Sequence, residues 1–446
     1  MTSSKAYSIL RSDKEFIDCK INCGIENNRK GNLNLELTLP DGRPLGNTKF
    51  RIKQVGHEFR FGANLFLLDE LETVEKNEKY KESFKSVFNM ATLPFYWNST
   101  EPERGHTRYA KNSPRLYRRP PIDLCIEFCE KYGIEPREHA LAYDAHFPEW
   151  IRSLTKDEAK VELERRYSEI SERYKDLIPT IEVTNEMHWP KGVSALYDEP
   201  SYVLDCFKLA EKYFPENKLC INDATHASWL DVCRSSSAYY AYTKAAMLEG
   251  ARIDAVGMQY HIFEKKDSEN YLKLLSPKRL WERMELYATL GKPLHITEVT
   301  VPAYSWEKDD EQLQADIIEM LYSIWFAHPA VEQIVYWNLV DGYAHLWDAT
   351  PERIAASQGD MSLGENVYYG GLLRYDMSEK PAYSIIKELI TKRWHTECET
   401  ITDECGIAKI RGFYGDYELE VCTEGRTVKK RFTLKKGGSK TVSLVI

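Results

Sequence analysis

The chain has 446 residues, 43% hydrophobic and 29% charged, with 28 Tyr, 16 Phe and 10 Trp. That length accommodates one large barrel of about 250 to 400 residues with a smaller appendage. The formal charge of −9 excludes the broad basic surface on which counterion release from a nucleic acid depends, so no nucleic-acid partner is expected.

No run of about 20 apolar residues is present, and the start MTSSKAYSILRSDKEF lacks the apolar centre of an export signal. Neither a membrane partner nor secretion is therefore expected. The sequence as it stands implies a cytoplasmic location, or a secreted one if a signal peptide has been removed. The cysteines are scattered, and Cys125, Cys129, Cys206 and Cys220 sit in apolar patterns, where buried thiols are expected. No Cys or His pairs recur at zinc-ligand spacing, so no metal is expected.

In chain order, residues 1–58 are read as an N-terminal β segment, because NLNLELTLPDGRPLGNTKFRIKQVGHEF (32–59) alternates apolar and polar residues around a Pro-Asp-Gly turn. Residues 59–394 alternate short runs of β-formers with longer helical patterns. The strand candidates are FRFGANLF (59–66), FNMATL (88–93), PREHALAYD (136–144), TIEVTNE (180–186), KLCIND (218–223), IDAVGMQYH (253–261), KPLHITEVT (292–300) and EQIVYWNLVD (332–341). Eight such units predict an α/β (β/α)8 barrel. Residues 395–446 alternate again, through several turns, and are expected to pack with the N-terminal segment as one small antiparallel β domain.

Reactive side chains of such a barrel gather where strands end. Here the fourth candidate strand ends in Asn185-Glu186 and the seventh carries Thr297-Glu298. The sixth ends in Gln259-Tyr260-His261, the fifth in Asn222-Asp223, the third in Tyr143-Asp144, and Trp337 lies in the eighth. Two carboxyls facing one bond are what retaining glycoside hydrolysis needs, and the ends of strands four and seven face each other across the mouth at a plausible separation of about 5 to 5.5 Å. Glu186 is the candidate acid/base and Glu298 the candidate nucleophile, with His261 holding the nucleophile and Asn185 binding the neighbouring sugar hydroxyl. Trp337 is a candidate floor beneath the sugar. Tyr96, Trp97, Trp189, Tyr343 and Trp347 are candidate aromatic platforms. Glu182 shares a strand face with Glu186 but lies too far down the strand for chemistry.

These segments resemble glycoside hydrolase family 10, best known for endo-β-1,4-xylanases. VTNEMHWP resembles its acid/base segment, HITEVT its nucleophile segment, VGMQYHIF its Gln-x-His motif and REHALAYDAHFPEW its Arg-x-His segment; IND, YWNLVDG and LLRYDMSEKPAY match further. The resemblance implies a retaining enzyme without cofactor, acting on a β-linked polysaccharide or oligosaccharide. It places Gln259 and His261 beside the nucleophile. His139, matching the Arg-x-His segment with Arg137, is a candidate for substrate binding or for a structural role, and Asn222 a candidate for substrate binding. The departures fall in sugar-binding positions. After FNMAT the family's Glu-Asn pair and Lys are absent, the segment being Leu93-Pro94-Phe95-Tyr96-Trp97. Tyr143 and Asp144 stand for a Trp and a His, and His345, followed by Trp347, for a second Trp. Xylan or xylo-oligosaccharides are the expected substrates. The alternatives are the same mechanism on another β-linked glycan, and a carbohydrate-binding protein without turnover.

Overall fold

A computed structural model of the chain describes residues 3–189, 192–232, 237–347, 350, 359–423 and 425–446. Two strands come first, β1 (Lys30–Thr38) and β2 (Lys49–His57). Eight more follow: β3 (Arg60–Asn64), β4 (Met90–Pro94), β5 (Glu135–His139), β6 (Thr180–Asn185), β7 (Lys218–Asp223), β8 (Ala255–His261), β9 (Leu294–Thr300) and β10 (Val331–Tyr336). These eight pair in parallel in chain order, and β10 closes on β3 to complete the expected barrel. Every residue of β4, β6 and β9 is buried. Strands buried on both faces explain the near-continuous apolar runs, and they oblige the polar side chains at the strand ends to find partners.

Between the strands run the helices that clothe the barrel, among them Lys156–Tyr174 and Lys308–Ala327. The former starts at a capping box, in which the Thr155 side chain accepts from the Glu158 amide while the Glu158 carboxylate accepts from the Thr155 amide. Register shifts interrupt the ladders between Glu182 and Thr184, between Met258 and Tyr260, and between Ile334 and Tyr336. The first two lie on β6 and β8, the strands that deliver Glu186 and His261, where a bulge re-aims side chains.

Both ends of the chain build one β body. The C-terminal strands are β11 (Glu397–Ile401), β12 (Ile407–Phe413), β13 (Gly415–Thr423), β14 (Arg426–Leu434) and β15 (Thr441–Val445). One sheet has the order β12-β1-β15 and the other β11-β2-β13-β14. Leu35, Leu37, Phe50, Ile52, Leu419 and Val421 from the two sheets share a core. One pairing departs from the antiparallel expectation: β15 runs parallel to β1, because the chain crosses from one sheet to the other after β14.

The larger difference lies ahead of β1. Residues read with the N-terminal β segment form two helices, Ser3–Leu10 and Lys14–Asn28. Alternation begins only at residue 32; upstream, Ile17, Ile21 and Ile25 recur every four residues and line one helical face. Gly24 on that helix lies so close to Lys308–Ala327 that a Cβ there would stand 2.5 Å from the Ala327 carbonyl oxygen. Among the described residues no helix is long and apolar enough to cross a membrane.

Candidate active site

The C-terminal mouth of the barrel holds a cavity of about 120 Å³ onto which Glu186, Glu298, His261, Trp337, Tyr143 and His345 all open. A larger cavity, about 380 Å³, lies at the opposite end where β2 enters β3. There Glu135 is committed to Arg60 and Glu332 to Lys218, and strand C-termini are the reactive end of such barrels.

Glu186 follows β6 directly and adopts a left-handed backbone, φ +53°, a conformation that costs a non-glycine residue on the order of 1 to 3 kcal/mol. Its carboxylate accepts from the Tyr143 hydroxyl at 2.6 Å, Trp189 Nε1 at 2.7 Å and Gln259 Nε2 at 3.0 Å. Gln259, expected beside the other carboxyl, thus tethers this one. Asn185 is buried; its Oδ1 accepts from Gln259 and Asn222, and its Nδ2 has no partner. A buried amide with open donors next to Glu186 is suited to a ligand oxygen.

Glu298 is buried within β9. Asn222 Nδ2 donates to its Oε1 at 2.9 Å, and His261 Nε2 stands 3.2 Å from its Oε2. Burial holds His261 down to about 4, hence neutral. Thr300 Oγ1 lies 2.9 Å from His261 Nδ1; with that hydroxyl donating, the imidazole carries its proton on Nε2, toward Glu298. Burial pushes the Glu298 carboxyl up to about 8, with Glu182 and Glu186 adding to the rise and His139 and Arg137 opposing it.

Glu182, given no part in chemistry by its depth, proves to be the hub below the pair. It is wholly buried and accepts from Arg137 Nη2, from Asn222 Nδ2 at 3.0 Å and from His139 Nδ1 at 2.8 Å. Burial alone would raise it, but Arg137 and His139 outweigh that and hold it at about 2. Ligand atoms of His139, Glu182 and Glu298 lie within 4.8 Å of one another. Each is already engaged, and Arg137 brings a fixed positive charge, so the cluster is organised around a guanidinium and not a cation site.

Several expected substrate contacts are placed elsewhere. Asn222 is fully buried and bridges Glu182, Asn185 and Glu298 from below, with its Oδ1 accepting from Thr297 Oγ1 at 2.7 Å. Asp144 is buried under the loop that follows β6, accepting from the Val193 amide and the Ser194 amide and hydroxyl. Trp97 is a core residue bonded to Glu101 and packed on Phe147. Tyr343 is buried, its hydroxyl engaged by Glu72 and Lys76. Trp347 is exposed and lines no part of the cavity. For Asp144, Trp97 and Tyr343, polarity or aromaticity at the barrel mouth suggested a ligand contact, and a neighbouring loop or helix takes it up instead. His139 is also buried, between Glu182 and the Tyr96 hydroxyl, with its ring 5.2 Å from Trp337. Trp189 is about half exposed, its indole N–H turned onto Glu186.

The cavity includes residues that pattern reading missed: Arg118, Arg119, His146, Phe263 and Glu365. The adjacent arginines after Tyr117 were the available signal, a charged pair before Pro120-Pro121 in a long loop.

The model of glycosyl hydrolase family 10 matches residues 57–388. Endo-1,4-beta-xylanase 2 of Arabidopsis thaliana is 24% identical over 92% of this chain, which spans 34% of that protein's length. Anti-sigma-I factor RsgI6 of Acetivibrio thermocellus is 25% identical over 91% of this chain and 46% of its own length. The chain thus spans well under two thirds of these relatives. Among solved structures, xylanase 10B from Thermotoga petrophila RKU-1 in complex with xylobiose superposes with a TM-score of 0.58 at 22% identity, covering 75% of this chain and 95% of that one.

Proposed function

This chain belongs to glycosyl hydrolase family 10, and from that premise we propose that it cleaves β-1,4-xylosidic bonds in xylan or xylo-oligosaccharides by double displacement with retention. The observation that carries the reading is the pairing of Glu186 and Glu298 on one cavity, each held by its own donors, beside the open Asn185 amide. Glu298 attacks the anomeric carbon and the bond to the leaving oxygen breaks, Glu186 donating its proton to that oxygen. Glu186 then takes a proton from water as the water displaces Glu298 from the anomeric carbon.

The proton balance follows from the surroundings. Burial raises the Glu298 carboxyl, and the donors Asn222 and His261 oppose that by stabilising the anion that attacks. Once Glu298 is esterified its charge is gone, and Glu186 is free to act as base. Trp337, close to His139 and His261, offers its ring face to the sugar.

One observation favours a neighbouring reading. The absent Glu-Asn and Lys, with Tyr96 in that segment, support a different β-linked glycan. Carbohydrate binding without turnover is the third outcome to be separated. Incubation with xylan, xylo-oligosaccharides and other β-linked plant glycans, with products resolved by size and Glu298→Ala as control, separates the three. Xylo-oligosaccharide products lost in Glu298→Ala support the proposal. Products only from another glycan support the second reading, and binding without any product the third.

A further inference from the structure

The mouth of the barrel contains a cation with open donors. Arg118 and Arg119 close the loop between β4 and the helix Ile122–Tyr132. Arg118 is buried and engaged, donating from Nη1 to Asn338 Oδ1 at 2.8 Å and to the Tyr343 carbonyl at 2.5 Å. Arg119 is partly buried and makes one hydrogen bond, from Nη1 to the Arg118 carbonyl at 2.9 Å. Its Cζ rests 3.8 Å above the Tyr96 ring and 5.3 Å from that of Phe66. The guanidinium is therefore fixed by its face, while most of its five N–H donors stay free at its edge.

No carboxylate among the described residues pairs with it, in contrast to Arg115, Arg137, Arg165 and Arg374, which are engaged by Glu70, Glu182, Glu101 and Glu311. Glu365, the other carboxyl at that end of the cavity, accepts from Asn338. The two histidines there, His146 and His345, are kept neutral by burial and by the arginine charges. Arg119 thus presents a preoriented, partly buried fork beside the engaged Arg118, at the end of a cavity whose other charged groups are Glu186, Glu298 and Glu365.

We propose that Arg119 binds the carboxylate of a uronic acid residue, so that acidic β-linked glycans are preferred over neutral ones. The inference rests on the glycosidase reading for its substrate and on the open guanidinium for its chemistry. Planar carboxylate against planar guanidinium allows two parallel hydrogen bonds, which a neutral sugar hydroxyl cannot reproduce. The carboxylate belongs either to the sugar being released or to a side branch of the chain.

Calorimetric titration of the full chain with D-glucuronate, against D-glucose as the neutral control, reads the contact without turnover. Kinetics on 4-nitrophenyl β-D-glucuronide, on a glucuronic-acid-branched xylo-oligosaccharide and on an unbranched aryl β-xylobioside read it in kcat/KM. Wild type should bind glucuronate about tenfold or more tighter than glucose, Arg119→Gln should remove that margin, and Arg119→Lys should keep part of it as a point charge. On the acidic substrate the glutamine variant should lose roughly 10- to 100-fold in kcat/KM, chiefly through KM, and at least about tenfold more than on the neutral one. Preference for the aryl glucuronide assigns the carboxylate to the released sugar; preference for the branched oligosaccharide assigns it to a branch. Equal binding of glucuronate and glucose by wild type, or equal losses on both substrate types in the variant, overturns the proposal. Cleavage of the neutral substrate without acid preference removes this inference and leaves the glycosidase reading. If wild type cleaves none of the three, that reading fails, and the titration still decides the role of Arg119.

Discussion

At the scale of single residues, one barrel interior drives two glutamates in opposite directions. Glu182 sits against Arg137 and His139 and is held at about 2, below its ordinary 4.5. Glu298 lacks a guanidinium of its own, and burial lifts it to about 8. The signs for stability follow from proton uptake. Glu182, depressed in the folded state, contributes stability that is complete above about 4.5 and is lost as pH falls toward 2. Glu298 is raised, so the folded state binds its proton more tightly, and stability is lost as pH climbs from 4.5 through about 8. Glu298→Gln, which keeps the shape and removes the charge, should therefore match the wild-type melting temperature near pH 4 and exceed it increasingly toward pH 8 to 9. Scanning calorimetry across that range checks it, and a constant difference would contradict the assigned cause. Glu182→Gln removes the anion facing Arg137 and leaves a buried charge uncompensated. Urea unfolding at pH 7 should show a loss of about 3 to 5 kcal/mol.

At the scale of elements, β6 to β9 deliver the candidate pair, and their precision depends on one close approach. Gly257 on β8 faces Asn222 on β7, and a Cβ there would stand 2.5 Å from Asn222 Oδ1 and 2.9 Å from the Ile221 carbonyl. Gly257→Ala should displace the Asn222 side chain from Glu298 and lower kcat by roughly 10- to 100-fold, as loss of an orienting partner does, with the far-ultraviolet circular dichroism unchanged. Kinetics together with that spectrum distinguish displacement from unfolding. The eight strands were legible because each is a short run of β-formers separated by helical spacing, and the placement of Glu186, Glu298, His261 and Trp337 on one cavity was legible because they sit at or near strand ends. Less legible were side chains whose partners come from distant loops. Nothing near Asp144 announces Ser194, and nothing near Tyr343 announces Glu72 and Lys76. Glu182 was seen as inward-facing, but its importance comes from Arg137 and His139 on β5, a contact set by barrel register and not by spacing within β6.

At the scale of the whole molecule, the N-terminal helices and the β body are tied to the barrel by Arg29, which precedes β1. It donates to the carbonyls of Phe326, His328 and Val331, and its guanidinium stacks on Phe59 and Phe326. Arg29→Ala should lower unfolding free energy by about 3 kcal/mol, since it strands three buried carbonyls; urea titration followed by tryptophan fluorescence measures it. The same joint packs Phe413 of β12 against Phe326 and His57 of β2 against Phe61, so barrel and β body should unfold together in a single transition. All of this scaffolding holds two carboxyls at one mouth, and the central claim is that they act as acid/base and nucleophile in a double displacement. The most direct measurement is the anomeric configuration of the first product, followed by proton NMR during hydrolysis of an aryl β-xylobioside. Retention predicts that the β-anomer appears first and then mutarotates. Initial appearance of the α-anomer would contradict the account.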